Sequence, residues 1–92
     1  METNVLQKME FTPTQILIVQ KMVDTYIIKN EFDFNTSKTL YIEISSDNYK
    51  SFFPDIPKDD LQKLITTMYP LEFDEYYVGD YGESYTFLFK NN

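Results

Sequence analysis

The stretch that determines the fold class is residues 71–89, LEFDEYYVGDYGESYTFLF. Leu71 to Val78 and Ser84 to Phe89 are rich in aromatic side chains, and runs of this length and composition favour strands. The turn residues between the two runs are Gly79, Asp80 and Gly82. Glycine and aspartate suit the backbone of a tight turn, so these residues predict a β-hairpin.

The hairpin region also carries most of the net charge. Residues 64–89 hold five carboxylates and no lysine, which accounts for −5 of the formal charge of −7. These carboxylates are Glu72, Asp74, Glu75, Asp80 and Glu83. The rest of the chain has ten acidic residues and eight lysines. Because a surface that serves solubility alone usually mixes both signs, this pattern predicts a folded acidic surface that binds a basic partner.

Upstream of the hairpin, the sequence predicts a long helix. Its start is Thr12-Pro13-Thr14-Gln15, with Thr12 as the cap, Pro13 in the first helical position and Gln15 completing a capping box. Apolar residues then recur at helical spacing, and the helix is expected to run to about Asn30. These apolar residues are Ile16, Leu17, Val19, Met22, Val23, Tyr26 and Ile27.

Three further segments complete the predicted fold. Thr39 to Ser45 alternates apolar and polar residues, as a half-buried strand does. Asp47 to Phe53 suits a short helix with Asp47 as its cap, and Pro57 to Pro70 encloses a longer amphipathic helix. The predicted order is helix, strand, short helix, helix, strand, strand. It forms a single α+β domain over residues 1–92, in which residues 1–10 are expected to be flexible.

This order resembles the winged-helix arrangement, in which the last helix enters a DNA groove and the hairpin contacts the DNA backbone. The charges oppose that activity here. The helix concerned begins with Lys58-Asp59-Asp60, and the hairpin tip holds Asp80 and Glu83. Both elements would therefore be repelled by phosphates, and a resemblance of fold alone does not supply a function.

Composition argues against several kinds of activity. The chain has no cysteine, histidine or arginine, so it lacks the commonest general base, the commonest transition-metal ligands and the best side chain for bidentate phosphate contacts. Asp55, Asp59 and Asp60 lack the spacing of a calcium loop. Apolar runs such as Ile16 to Val19 are too short to span a membrane. We expect a cytoplasmic protein that is not an enzyme, holds no cofactor or metal and binds no nucleic acid.

The carboxylates of the hairpin form the first candidate site. Residues two apart on a strand lie about 6.8 Å apart on one face. Glu72 and Asp74 are therefore expected to form a row of charge similar in scale to the phosphates of a nucleic-acid strand, with Glu75 on the opposite face. Asp80 and Glu83 would extend this surface at the tip. The alternative is that the charges only keep strand edges from aggregating.

Acidic residues outside the hairpin divide into two groups. Glu31 and Asp33 follow the first helix, and Glu43 lies on the polar face of its strand, so these three can join the acidic surface. Asp59 and Asp60 fall in the first turn of a helix, where the helix macrodipole favours negative charge. That position explains them without a partner.

The hairpin also carries a cluster of tyrosines, some of which alternation sends outward. They are Tyr76, Tyr77, Tyr81 and Tyr85. We assign Tyr76 and Tyr81 as candidate contacts with a partner, since amphipathic rings suit protein interfaces. The alternative is that tyrosines pair across the strands and hold the hairpin together. Both can hold, because a hairpin has two faces.

The leading hypothesis is a DNA mimic that blocks the DNA-binding surface of a basic protein. The chain is similar to the Arn-type anti-restriction proteins of T-even phages in size, charge, lack of cysteine and an acidic aromatic hairpin, Glu72-Phe73-Asp74-Glu75-Tyr76-Tyr77. This resemblance implies a homodimer that inhibits a McrBC-type restriction endonuclease. It offers no motif to transfer residue by residue, so the site residues rest on the charge pattern.

Two other classes of function stay open. The first is a winged-helix-like adapter or regulator that binds another protein through its aromatic hairpin, with the acidity incidental. The second is a small-molecule or catalytic domain, which would need a concave pocket that the sequence does not reveal.

Overall fold

The computed structural model describes residues 11–36 and 39–91. Within them lie three helices and three strands in the predicted order, which confirms the α+β class and the C-terminal hairpin. The helices are α1 (Pro13–Lys29), α2 (Ser46–Phe52) and α3 (Lys58–Met68), and the strands are β1 (Thr39–Ser45), β2 (Leu71–Val78) and β3 (Ser84–Asn91). The predicted flexibility of residues 1–10 lies outside the described residues.

Helix α1 begins at the predicted capping box. The Gln15 backbone N–H donates to Thr12 Oγ1 at 3.1 Å, and the Thr12 N–H donates to Gln15 Oε1 at 2.9 Å. Both bonds satisfy donors that a helix start would otherwise leave open. Val19 and Val23 are fully buried, whereas Leu17 is exposed. The apolar stripe is therefore narrower than the sequence predicted.

Strand β3 lies at the centre of the sheet, between β1 and β2, and both neighbours run antiparallel to it. One face of the sheet is buried, and its core side chains are Leu40, Ile42, Ile44, Leu71, Phe87 and Phe89. The helical segments cover this inner face with Val19, Val23, Tyr49, Phe53, Leu61, Leu64 and Ile65. The core therefore fills the space between the helices and one side of the sheet.

Aspartates lie in the first turns of both α2 and α3. Ser45 Oγ accepts the Asn48 N–H at 3.1 Å, so Ser45 caps α2 and the prediction that Asp47 is the cap is wrong. Asp47 lies two positions after this cap, in the first turn. Asp59 and Asp60 occupy the first turn of α3, as predicted, where the macrodipole stabilises their charge.

The hairpin tip is a hydrogen-bonded turn that includes a carboxylate. The Gly79 N–H donates to the Ser84 carbonyl at 2.8 Å, and the Gly82 N–H donates to the Gly79 carbonyl at 2.9 Å. Gly82 has a φ of 71°, a conformation that glycine adopts without steric cost. Glu83 Oε1 accepts the Tyr81 N–H at 2.9 Å. Glu83 therefore stabilises the turn in addition to charging it.

Two tyrosine hydroxyls tie distant parts of the chain together. Tyr49 OH donates to the Ile56 carbonyl at 2.6 Å and holds α2 to the loop that precedes α3. Tyr69 OH donates to Asp24 Oδ1 at 3.0 Å and joins the end of α3 to α1. Lys58 Nζ also lies 4.7 Å from the centre of the Tyr49 ring, within the range of a cation–π contact.

Stability is expected to fall as the pH rises above about 10, because buried phenols resist ionisation. Burial, followed by the hydrogen bond to Asp24, raises the pKa of Tyr69 to about 12, and burial raises the pKa of Tyr49 well above its ordinary value. The unfolded chain releases these protons at lower pH than the folded protein does. The stability is therefore full below about pH 10 and declines as the pH approaches the folded pKa values.

Urea unfolding at a series of pH values between about 9 and 11.5 measures this decline. The variant Tyr69→Phe keeps the ring but cannot ionise, so its stability should decline less steeply than that of the parent. Parallel curves for parent and variant would show that Tyr69 contributes nothing to the alkaline loss.

Candidate functional site

We call the side of the sheet opposite the helices the outer face. Its residues alternate with the buried residues along each strand. They are Thr39, Tyr41, Glu43 and Ser45 on β1, Glu72, Glu75 and Tyr77 on β2, and Ser84, Thr86, Leu88 and Lys90 on β3. The described helices pack mainly against the inner face. At the β1 edge the Tyr26 ring of α1 lies edge-on to the Tyr41 ring, with the ring centres 5.9 Å apart. Tyr41 is still 41% exposed, and no described helix covers the middle of the outer face.

A β-bulge places two carboxylates of β2 on the outer face together. Glu72 pairs with Lys90 and Glu75 pairs with Leu88, with Asp74 as an extra residue between the two pairs. Lys90 and Leu88 are two residues apart and share a face, so Glu72 and Glu75 share it too. The prediction that Glu75 points away from Glu72 is therefore wrong. Asp74 is exposed at the bulge.

Two of the outer-face carboxylates are each held by a tyrosine two residues away. Tyr41 OH donates to Glu43 Oε1 at 3.0 Å, and Tyr77 OH donates to Glu75 Oε1. The hydrogen bond to the carboxylate is the main reason that the pKa of each phenol is raised. A carboxylate has room for further donors. Each pair therefore presents an oriented acceptor beside an aromatic ring.

The two tyrosine–glutamate pairs lie on the two edge strands, and their glutamates occupy diagonally opposite positions. The rows that cross the sheet from β1 to β2 are Tyr41, Leu88, Glu75 and then Glu43, Thr86, Tyr77. Each glutamate therefore lies in the same row as the tyrosine of the other strand. Strands about 4.8 Å apart with a repeat of about 6.8 Å place Glu43 and Glu75 on a diagonal of about 12 Å.

The lysine of the outer face offsets only part of its charge. Lys90 Nζ lies 3.9 Å from Glu72 Oε1, and both side chains are at least half exposed. An ion pair this exposed contributes little to stability. With three carboxylates and one ammonium group, the outer face of the described strands is negative, and Asp74 adds charge at its edge.

The hairpin tip displays the most exposed aromatic side chain of the described residues. Tyr81 is 94% exposed, and Asp80 beside it is also exposed. The carboxylate of Glu83 lies against Gly79, where a Cβ would come within 2.6 Å of it. The tip therefore offers one free ring and one free charge, whereas Glu83 is partly engaged by the turn.

The remaining predicted acids lie away from the outer face. Glu31 and Asp33 are exposed residues of the connection between α1 and β1. Glu31 has a φ of 50°, and Asp33 Oδ1 accepts the Asn35 N–H at 2.7 Å. The structure thus brings Glu43, Glu72 and Glu75 together, but it places Glu31 and Asp33 on a separate loop.

The hairpin tyrosines divide between the two faces of the sheet. Tyr76 lies on the inner face, with its ring centre 5.1 Å from that of Phe87 and 6.3 Å from that of Tyr85. This is the cross-strand pairing that the sequence left as an alternative. Tyr77 and Tyr41, which are 49% and 41% exposed, supply the rings of the outer face instead.

The sequence contains a signal that would have identified these two rings. Tyr41 and Glu43 are two residues apart on one strand, and Glu75 and Tyr77 are two residues apart on another. Residues at this spacing share a face of a strand. This spacing therefore predicts that each tyrosine hydroxyl can donate to the glutamate on its own strand, with both side chains on the same face.

A groove of about 720 Å³ separates α1 from β1 and α2. Its apolar lining includes Ile18, Met22, Ile44 and Phe52. The Tyr26 hydroxyl at its border already donates to the Glu43 carbonyl at 2.9 Å. The groove is the concave feature that a small-molecule site would need, and its described lining also includes Lys21, Glu43 and Glu83.

The described part of the chain shows no metal site and no membrane-spanning helix. Among residues 11–36 and 39–91, no three acidic side chains are placed to hold a metal ion. No helix over these same residues combines the length and apolarity needed to cross a membrane.

The chain matches no protein-family model, no curated protein and no solved structure. The resemblance to the Arn-type proteins therefore stays a prediction. The features of the described chain that bear most on function are the charges and rings of the outer face and the hairpin tip.

Proposed function

We propose that this protein is a DNA-mimic inhibitor that occupies the DNA-binding surface of a basic protein. The observation that supports this best is the outer face, on which a three-stranded sheet displays Glu43, Glu72 and Glu75 with Lys90 as the opposing charge. A sheet keeps these charges at fixed separations. A disordered acidic segment would have to be ordered on binding and would lose affinity in doing so.

The separations suit a partner that reads phosphates. Glu72 and Glu75 lie one strand repeat apart, which is about 6.8 Å and on the scale of neighbouring phosphates. Glu43 lies across the sheet from them, at about 12 Å from Glu75. Complementary charge of this kind accelerates association and disfavours wrong partners.

The resemblance to Arn-type proteins suggests the target and the setting. In this proposal the basic partner is a restriction endonuclease of the McrBC type, the site of action is the host cytoplasm, and the inhibitor acts as a homodimer. The protein itself binds no nucleic acid and catalyses no reaction.

A protein–protein adapter is the second candidate function. The observation that favours it is the aromatic surface of the hairpin, where Tyr77 is 49% exposed and Tyr81 is 94% exposed. In that role the rings would provide most of the binding energy, and the carboxylates would serve mainly to keep strand edges apart.

A DNA-displacement assay with a McrBC-type endonuclease tests the proposal and separates it from the alternative. The protein is expected to release labelled duplex DNA from the nuclease without shifting that DNA when it is alone. Raising the salt from about 0.1 M to about 1 M shortens the Debye length from about 10 Å to about 3 Å, so direct binding to the nuclease should weaken more than tenfold. An aromatic adapter would change little.

A shift of duplex DNA by the protein alone would overturn the mimic proposal, because a mimic must be repelled by the polymer that it imitates. Binding to the nuclease that is insensitive to salt would favour the adapter.

A further inference from the structure

The edges of the sheet do not favour the addition of a strand from a partner. On β1, the Tyr41 N–H donates to Asn30 Oδ1 at 3.3 Å, and the Glu43 carbonyl accepts the Tyr26 hydroxyl at 2.9 Å. On β2, the bulge at Asp74 interrupts the edge and adds a charge to it. Engaged edge groups, bulges and edge charges all oppose pairing with another strand. The open face of the sheet is therefore the better docking surface.

The shape of the outer face suits one particular element of a partner. A helix has a diameter of about 10 Å, which matches three strands spaced about 4.8 Å apart. A helix packed on a sheet is also one of the standard layered arrangements of proteins. Leu88 and Thr86 lie on the central strand between the two tyrosine–glutamate pairs, so they would contact the middle of such a helix.

The two pairs favour arginine over lysine. Tyr41 stands beside Glu43, and Tyr77 stands beside Glu75, each joined by a hydrogen bond. A guanidinium group can stack on an aromatic ring while it donates two hydrogen bonds to a neighbouring carboxylate. An ammonium group is more strongly hydrated and lacks this planar fork.

From these observations we propose that the outer face binds an α-helix of the basic partner that presents two arginines seven residues apart with an apolar residue between them. One arginine would occupy the Tyr41–Glu43 pair and the other the Tyr77–Glu75 pair, with the apolar side chain on Leu88. Seven residues of helix rise about 10.5 Å and return to the same side, which spans the diagonal of about 12 Å between Glu43 and Glu75. The inference rests on the proposed function, since it names the element of the partner that the acidic surface receives.

Synthetic helical peptides test this directly by fluorescence anisotropy. The matched peptide carries arginines seven residues apart with a leucine four residues after the first. A second peptide has the same composition but arginines nine residues apart, which places them on opposite sides of the helix. A third has lysines in place of the arginines. The matched peptide is expected to bind at least about fivefold more tightly than either of the others.

A pair of protein variants with equal charge change locates the site. Glu43→Gln with Glu75→Gln should remove the preference for the matched peptide, whereas Asp59→Asn with Asp60→Asn should retain it. Equal binding of matched and mismatched peptides, or equal loss in the two variants, would overturn the helix proposal. The displacement assay keeps the two proposals apart: if the protein releases DNA from the nuclease but does not distinguish the peptides, only the helix proposal fails.

Discussion

Replacing Phe53 with alanine is expected to destabilise the protein by about 3–5 kcal/mol, the largest effect of any single change proposed here. Phe53 is 0% exposed. Its ring lies 6.3 Å from that of Phe11 and 5.4 Å from that of Tyr49, so it joins the segment before α1 to α2. A domain of this size has a total stability of about 5–15 kcal/mol, so the variant should lose a large fraction of it.

Urea unfolding followed by circular dichroism measures the loss, and the neighbouring residue provides a matched control. Phe52 is 39% exposed, so Phe52→Ala removes less buried surface and should cost clearly less than Phe53→Ala, about 1–2 kcal/mol. Similar losses for the two variants would show that the core does not extend to the end of α2 as described.

The sequence predicts the secondary structure well because most of its elements are independent of distant residues. The α1 cap uses Thr12 and Gln15, which are three positions apart. The alternation of buried and more exposed side chains in β1 is visible within its seven residues. The choice between Ser45 and Asp47 as the α2 cap is harder, since either side chain suits the position. The two candidates are only two positions apart, and the backbone conformation shows that Ser45 is the residue directly before the helix.

The candidate site is less predictable because it depends on the register between strands. The bulge at Asp74 brings Glu75 to the same side as Glu72, although the sequence contains a hint of it. The inward residues of β2 are Leu71, Phe73 and Tyr76, and their spacing changes from two to three. Strict alternation would place Phe73 and Tyr76 on opposite faces. One extra residue in the strand, a β-bulge, returns both to the inner face.

The pairing of β1 with β3 is out of reach of a single sequence, whereas the hairpin turn already predicts that β2 pairs with β3. The proximity of Lys90 to Glu72 and the placement of Tyr41 and Tyr77 on one face follow from the pairing of β3 with both neighbours. The run of acids in the sequence predicted that a negative surface exists. The sequence also offered Glu43 as a member of that surface, but the strand order was needed to place it in one row with Thr86 and Tyr77.

The second large effect is expected on partner binding. Changing Glu43, Glu72 and Glu75 together to glutamine should raise the concentration needed to displace DNA from the basic partner by about 10–100-fold. This corresponds to about 0.5–1 kcal/mol for each of three partly exposed charge pairs. The fold should be retained, because removing like charges from one face relieves their repulsion. The displacement assay and a thermal melt, run on the same preparations, measure both effects.

A triple variant elsewhere distinguishes the position of the charge from its amount. Asp55, Asp59 and Asp60 are exposed or half-exposed, and they lie before and within the first turn of α3. Their change to asparagine alters the net charge equally, yet it should weaken displacement less than about threefold if only long-range attraction is reduced. A loss in this control equal to that of the outer-face variant would mean that the partner senses total charge and not a surface. If both variants displace DNA as well as the parent does, the binding energy must come mainly from aromatic side chains such as Tyr77 and Tyr81, as expected of an aromatic adapter.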